Sequence, residues 1–284
     1  MEVLIGSIIE GLLVSLIYIL IALGLTMLYG IMHVVNFAHG DIYMLGAMGT
    51  YFLTMRFGVP YFLSLLIVAL AAIPFGLLIE RVVFRPIRGK WLQLLVATIG
   101  LSMVVQSMSW IIFGIVDKGL SSVFDRVLRF WGATISTERL FAGIVGGVLV
   151  SCTLILVYRT KVGRAMRAIE EDEDSAKIQG VNPNAVASFN VAVGFILASI
   201  AGGLVAPIFV INAGMGLNPL LTSFNVIIIG GLGSITGCIL GGLFVGLVQT
   251  VGAVYLGVEI TNGLMFALLI AVLVVRPAGL MGHA

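Results

Sequence analysis

An all-α, polytopic transmembrane bundle is the fold this sequence predicts, and three observations predict it. Of its 284 residues, 60% are hydrophobic and 10% are charged, against about 25% charged in soluble domains. Its apolar stretches run about 20 residues, the length a helix needs to cross a hydrocarbon core of about 30 Å. Segments of about 10 residues with alternating polarity, the mark of a membrane barrel, are missing. Fifteen basic and 13 acidic residues are too few to cover a water-soluble fold of this size. A soluble enzyme, a nucleic-acid binder and a disordered tail are thereby excluded.

The elements follow in order along one domain, residues 1–284. The first apolar run, Val3 to Tyr29, is interrupted only by Glu10, and Gly11–Tyr29 reads as the first span behind a short interfacial turn. No charged region precedes it (the first basic residue is Arg56), so no cleavable leader is expected. A polar interruption at His33, Asn36, His39, Gly40 and Asp41 leads into Ile42–Met55. Arg56, Gly58 and Pro60 predict a tight turn. Tyr61–Leu78 and Trp91–Phe113 follow, separated by the basic stretch Glu80–Lys90. Asp117–Arg139 is a mixed-charge loop carrying Phe130 and Trp131. Leu140–Tyr158 precedes the longest polar segment, Arg159–Asn184, and Val186–Ile211 comes next. Asn212–Asn218 is a Gly/Asn turn closed by Pro219. Leu220–Ile229 is apolar but only about ten residues long, as a half-helix or re-entrant segment would be. Ser234–Tyr255 and Asn262–Val275 complete a set of about eight spans.

Orientation follows from basic residues in short loops. Arg81–Lys90, Arg159–Asn184 and Arg276 hold ten of the 15 basic residues. That side is read as cytoplasmic, which puts the N-terminus, Arg56 and the Asp117–Arg139 loop outside. The C-terminus reaches the cytoplasm only if Leu220–Ile229 changes side.

Three features are candidates for function. Asn36, His39 and Asp41 either cap helix ends in an interhelical loop or line a translocation path, since ionisable groups at membrane depth are costly. Asn190, Asn212 and Asn225 carry the same pair of readings. Gly233, Gly237 and Gly241 recur every four residues, giving a flat helix face for close packing. The third feature is the polar segment at about 159–187, where a basic stretch meets the acid run Glu170–Asp174. Arg164 and Arg167, three apart, share a helix face. Asn182 and Pro183 would cap and open the next helix. A short helix lying along the membrane would suit a soluble docking partner. Cys152 and Cys238 sit in apolar runs as plain hydrophobes.

Absent motifs narrow the chemistry. Gly89-Lys90 is followed by Trp91, so no phosphate loop is present. The histidines are His33, His39 and His283, and no catalytic triad or metal-ligand spacing occurs. Any energy for active transport must come from another subunit.

The stretch Leu20–Gly30 followed by Val35-Asn36-Phe37-Ala38-His39-Gly40-Asp41 resembles the first-helix signature of branched-chain amino acid ABC transporter permeases, and of the first of the two sibling permeases. Gly163-Arg164-Ala165-Met166-Arg167-Ala168, with Ala176 and Gly180-Val181, is similar to that family's coupling segment. Gly230–Ser234 and Arg276-Pro277-Ala278-Gly279-Leu280 match as well. The resemblance implies a permease that pairs with a sibling permease in a bacterial or archaeal cytoplasmic membrane. It implies two cytoplasmic ATPases, which would hold ATP and Mg²⁺, and an extracytoplasmic binding protein delivering leucine, isoleucine or valine. No cofactor is expected in this chain. Gly163, Arg164, Arg167, Ala168, Glu170, Ala176 and Gly180 become the expected ATPase-coupling residues. An importer of urea or short amides, and a stand-alone channel for a small neutral solute, are the alternatives.

Overall fold

The computed structural model describes residues 2–33, 35–124, 127–130, 133–276 and 278–281; Val34, Trp131, Pro277 and His283 lie outside the described residues. The helices are α1 (Glu2–Met32), α2 (His39–Phe57), α3 (Tyr61–Ile79), α4 (Trp91–Phe113), α5 (Thr137–Arg159), α6 (Lys161–Glu171), α7 (Glu173–Ile178), α8 (Pro183–Val205), α9 (Leu217–Gly230), α10 (Ile235–Leu256) and α11 (Val258–Val275). Strands β1 (Val127–Phe130) and β2 (Ala133–Ser136) form an antiparallel hairpin inside the expected outer loop.

Seven of the described helices are long and apolar enough to cross a membrane: α1, α3, α4, α5, α8, α10 and α11. That agrees with the expected count of about eight, one either way; α2, with 19 residues, starts on His39-Gly40-Asp41 and is not among the seven. The turn expected before Gly11 does not form, and α1 runs unbroken for 31 residues. The span expected to reach Ile211 stops at Val205, because Pro207 cannot donate the next helical hydrogen bond. Asn182 caps α8 with Pro183 in its first turn, its side chain accepting from the backbone N–H groups of Asn184 (3.0 Å) and Ala185 (3.2 Å).

The basic loops gather at one end. Arg88 donates to Asn184 at 3.1 Å, tying the α3–α4 turn to the start of α8. The chain after α11 returns there too: Leu280 N–H bonds Ile229 O at 2.8 Å and Met281 N–H bonds Gly230 O at 2.9 Å. The short helix α9 therefore ends at the basic side, and the C-terminal segment lies with it. At the opposite end Lys118 and Ile211 form a backbone bridge, and Glu10 pairs with Arg139 at 2.8 Å.

The core is built by close approach of backbones rather than by bulk. Lipid offers no hydrophobic drive between helices, so small residues at the contacts decide the packing. Gly24 of α1 and Gly194 of α8 face each other reciprocally: a Cβ on either meets the other's carbonyl oxygen within about 3 Å. Gly40 and Gly216 also exclude a Cβ from each other, backbone on backbone. Reciprocal contacts of this kind are what a two-fold axis produces. The order of parts agrees. A long helix, a chain that folds back, a helix starting inside the bundle, a Gly-containing turn and two more helices occur as α1–α4 and again as α8–α11, run in the opposite direction. The two halves thus share one order of elements run in opposite directions, the pattern of inverted-topology repeats, in which transporters build sites between the halves.

Candidate functional site

The polar interruption lies at membrane depth, not in a loop at the surface. His39 Nε2 is 3.1 Å from Ile21 O. Ile21 stands 11 residues back from Met32, or about 16 Å at 1.5 Å per residue, which is half of a hydrocarbon core of about 30 Å. Residues 35–38 lie between the end of α1 and that level. Asn36 shapes the return: its Oδ1 accepts from Ala38 N–H at 3.1 Å. α2 thus begins halfway through the bundle. The start of α9, about 20 Å from its basic-side end, meets it there through Gly40 and Gly216.

Asp41 is not the cap of α2; Ala38 occupies that position, and Asp41 sits in the first turn. It is 2% exposed. Its Oδ1 accepts from Gln106 Nε2 of α4 at 3.0 Å, and the same amide nitrogen donates to Ser102 Oγ at 3.1 Å. Asp41 Oδ2 has no hydrogen-bond partner, and neither have Asn36 Nδ2, His39 Nδ1, Asn190 Oδ1 or Asn225 Oδ1. Each is a buried polar atom whose desolvation costs about 1–3 kcal/mol when unpaired. Asn190 donates to Met27 O across the α1–α8 contact. Asn36, His39, Asp41, Asn190 and Asn225 are all buried, a polar seam in the interior that includes the α1–α8 contact at Asn190 and the α2–α4 contact at Asp41. Asn212 lies apart, at the outer end, where its Nδ2 donates to Asp117 at 3.1 Å and its Oδ1 accepts from Gly214 N–H at 3.0 Å.

A second constellation lies at the basic end. α6 and α7 form an elbow between α5 and α8. On α6, Gly163, Met166 and Ile169 are buried at a spacing of three, while Lys161, Arg164 and Glu171 face out. Thr160 caps α6, accepting from Gly163 N–H at 3.1 Å. Gly163 packs on the carbonyls of Leu156 and Val157, leaving no space for a Cβ. Arg167 stacks over Tyr158, 5.4 Å from the ring centre. Ala168 is half-buried against the bundle. Glu170 is exposed, but its carboxylate reaches over the bundle: a Cβ at Gly30 would come 2.8 Å from it, and one at Gly233 3.1 Å. The acid run is where the two helices break. Asp172 caps α7, accepting from Asp174 and Ser175 N–H at 3.0 and 3.3 Å. The Ser175 hydroxyl and these amides hold its carboxyl below the usual aspartate range. Ala176 is buried, and Gly180, at φ +85°, ends α7 in the left-handed conformation.

Of the glycines with four-residue spacing, Gly233 is outside the helix, in the turn before α10 at φ +82°. Gly237 and Gly241 press on α9 at Gly230 and Val226, and Gly242 and Gly246 press on α1 at Ile19 and Ser15. α10 therefore has two glycine edges.

Sequence reasoning passed over Glu80 and Gln106. Glu80 is fully buried within a π-helical turn (Glu80–Phe84), paired with Arg85 at 2.8 Å and Arg88 at 2.7 Å, and accepts from Ser188 at 2.8 Å. An acid at the head of a basic stretch was the available signal. Gln106 had none beyond being a polar residue in the middle of an apolar span.

A charge-poor bundle of apolar helices with buried polar residues in its interior defines a polytopic membrane protein. The chain matches the family described as branched-chain amino acid transport system/permease component over residues 7–273, and it belongs to that family. It is 34% identical to the high-affinity branched-chain amino acid transport system permease protein LivH of Salmonella typhimurium, over 94% of this chain and 91% of the relative. It is 33% identical to LivH of Escherichia coli K12 over the same shares. To BraD of Pseudomonas aeruginosa it is 32% identical, over 98% of this chain and 95% of the relative. No solved structure matches it.

Proposed function

We propose that this chain is the membrane-spanning permease subunit of an ATP-driven importer for branched-chain amino acids, set in a prokaryotic cytoplasmic membrane with its basic end inward. Membership of the permease family over nearly the whole chain is the observation that carries this. In this reading a sibling permease completes the pathway, a binding protein delivers the amino acid from outside, and two ATPases dock on the elbow. Lys161, Arg164, Arg167 and Ile178 supply the outward contact surface, Ile178 being 88% exposed. Gly163, Ala168, Glu170, Ala176 and Gly180 shape the elbow and seat it on the bundle.

The geometry supports a route for the push. The elbow rests through Glu170 on Gly30 of α1 and on Gly233 in the α9–α10 turn. α9 then runs from that turn to the meeting point with α2. A displacement of the elbow by a nucleotide-driven partner is carried along a rigid 14-residue helix to the polar seam. Packed interfaces of this kind switch between discrete arrangements rather than deforming smoothly.

The test is reconstitution of the assembled complex in vesicles and measurement of leucine uptake. Uptake should require ATP and both ATPases, and Ile178→Glu should lower it while leaving the purified bundle monodisperse. Uptake that persists without the ATPases would overturn the reading.

A further inference from the structure

We infer that the cleft between α2, α4 and the start of α9 is a recognition site for a primary ammonium group on a short aliphatic chain, with Asp41 as its anion. The inference rests on the importer reading for its choice of cargo, but its evidence is local. The cleft has a volume of about 110 Å³. Phe37, Ile99, Met103, Leu217 and Leu220 give it apolar walls, and Asp41, Ser102 and Gln106 give it one polar end. No cationic side chain is among the described residues that line it.

The polar end is built. Gln106 donates to Asp41 Oδ1 and to Ser102 Oγ, which fixes the carboxylate in place. Oδ2 is left with no partner although Asp41 is 2% exposed. A carboxylate has room for several donors, and an ammonium offers three. Ionisable groups at this depth pair with a counter-charge or serve a substrate path. A branched aliphatic side chain against Phe37, Ile99 and Leu217 brings its ammonium to the Asp41 carboxylate at the polar end; Oδ2 is closed to a water-sized probe here, so binding must open the cleft at that point. Gly40 and Gly216 matter here because their contact brings α9 close enough to close one wall.

The experiment replaces Met103, which lines the cleft and is exposed, with cysteine in the full chain, after Cys152→Ser removes the exposed native thiol. The rate of alkylation at Met103→Cys is measured with 3-methylbutylamine, with leucine and with 4-methylpentanoate, which lacks the amine. The amine and leucine should slow alkylation and the acid should not. Asp41→Asn should raise the amine concentration needed by about tenfold or more, the loss of one hydrogen bond to a charged group. In the assembled importer the same variant should raise the KM for leucine more than it lowers the turnover.

Equal protection by amine and acid, or amine protection that survives Asp41→Asn, overturns the site; Asp41 would then serve only as counter-charge to the helix starts that meet there. The comparison of amine with acid on the chain with native Asp41 decides the question even if Asp41→Asn fails to fold. Amine-selective protection in a chain whose complex imports no leucine supports the site and overturns the importer reading. Leucine import without amine-selective protection overturns the site and leaves the importer reading intact.

Discussion

The two halves of the bundle share a plan and differ in what they place at its centre. In α1–α4 the chain folds back and restarts at His39-Gly40-Asp41; in α8–α11 it folds back and restarts at Leu217-Asn218-Pro219. Both restarts are at mid-depth and touch through Gly40 and Gly216. Only the first carries ionisable groups. The turns that join their last two helices differ too. The first half holds its α3–α4 turn with the buried Glu80 and two arginines, while the second joins α10 to α11 through Gly257 alone, at φ +87°. The symmetry is therefore a property of the scaffold, and the chemistry is one-sided.

The largest effect should come from breaking the shared point. Gly40→Val pushes a branched side chain into the Gly216 carbonyl, where only backbone fits. Overpacking at such a contact costs about 3 kcal/mol, and a well-formed bundle should be lost, read as aggregation on size-exclusion chromatography and a fall in melting temperature. Gly263→Val is the control: nothing lies within 4 Å of its would-be Cβ, and its cost should stay within about 0.5 kcal/mol. Equal behaviour of the two variants would break the claim that the halves meet backbone to backbone.

Next in size is the asymmetric latch. Glu80→Gln leaves Arg85 and Arg88 facing a neutral amide in a buried turn. Breaking a fully buried pair costs about 3–5 kcal/mol, but the Arg85 side chain is 37% exposed, so about 2 kcal/mol is expected after solvent screening. Thermal unfolding in detergent measures it. A negligible loss would mean the first half does not depend on its latch.

How much of this was legible in the sequence can be argued from particular residues. Span length and apolarity show α3, α4, α5, α10 and α11 to within a few residues, because lipid leaves a helix no alternative. Asn182-Pro183 announces the start of α8 by cap chemistry that is wholly local. The meeting of Gly40 with Gly216 has no local signal. It joins residues 176 positions apart, and glycines inside spans occur for many reasons. The depth of Asp41 was hidden for a related reason. A polar run between two apolar runs reads as a surface loop, and only the contact of His39 with Ile21 O shows that it lies inward. Glu170 reads as one of five solvated acids and is indeed exposed, but the sequence gives no sign that its carboxylate lies beside Gly30 and Gly233.

The α9–α10 turn offers a smaller test of the second half. Ser234 caps α10, its hydroxyl oxygen accepting from Gly237 N–H at 3.0 Å, where the first half opens α3 on Pro60 with no side-chain cap. Ser234→Ala should cost about 1 kcal/mol, and Pro60→Ala less, because no hydrogen bond is lost. Chemical denaturation of the two variants compares them. A larger loss at Pro60 would reverse this account of how the two turns are held.

The elbow belongs to neither half, and its response to acid separates it from both. Hydrogen bonds from Ser175 and from the amides of Ser175 and Asp174 hold the Asp172 carboxyl below its ordinary range. A depressed carboxylate favours the folded elbow above its unfolded value, and that contribution disappears as pH falls through the lowered folded value. Lys177 pairs with Glu173 at 2.9 Å and Asp174 at 3.0 Å on the same turn, and acid weakens those pairs as well. Asparagine caps a helix as well as aspartate does, so Asp172→Asn keeps α7 and removes only the Asp172 part of its acid sensitivity. A nitroxide attached at Gln179→Cys, in the Cys152→Ser background, reads the mobility of α7 across pH. The wild-type elbow should loosen in acid over a range that extends below the ordinary aspartate value. In Asp172→Asn that lower part should vanish, leaving the change due to Glu173 and Asp174. Identical curves would mean that the cap does not hold the elbow and that its position is set by the seat of Glu170 on the two halves.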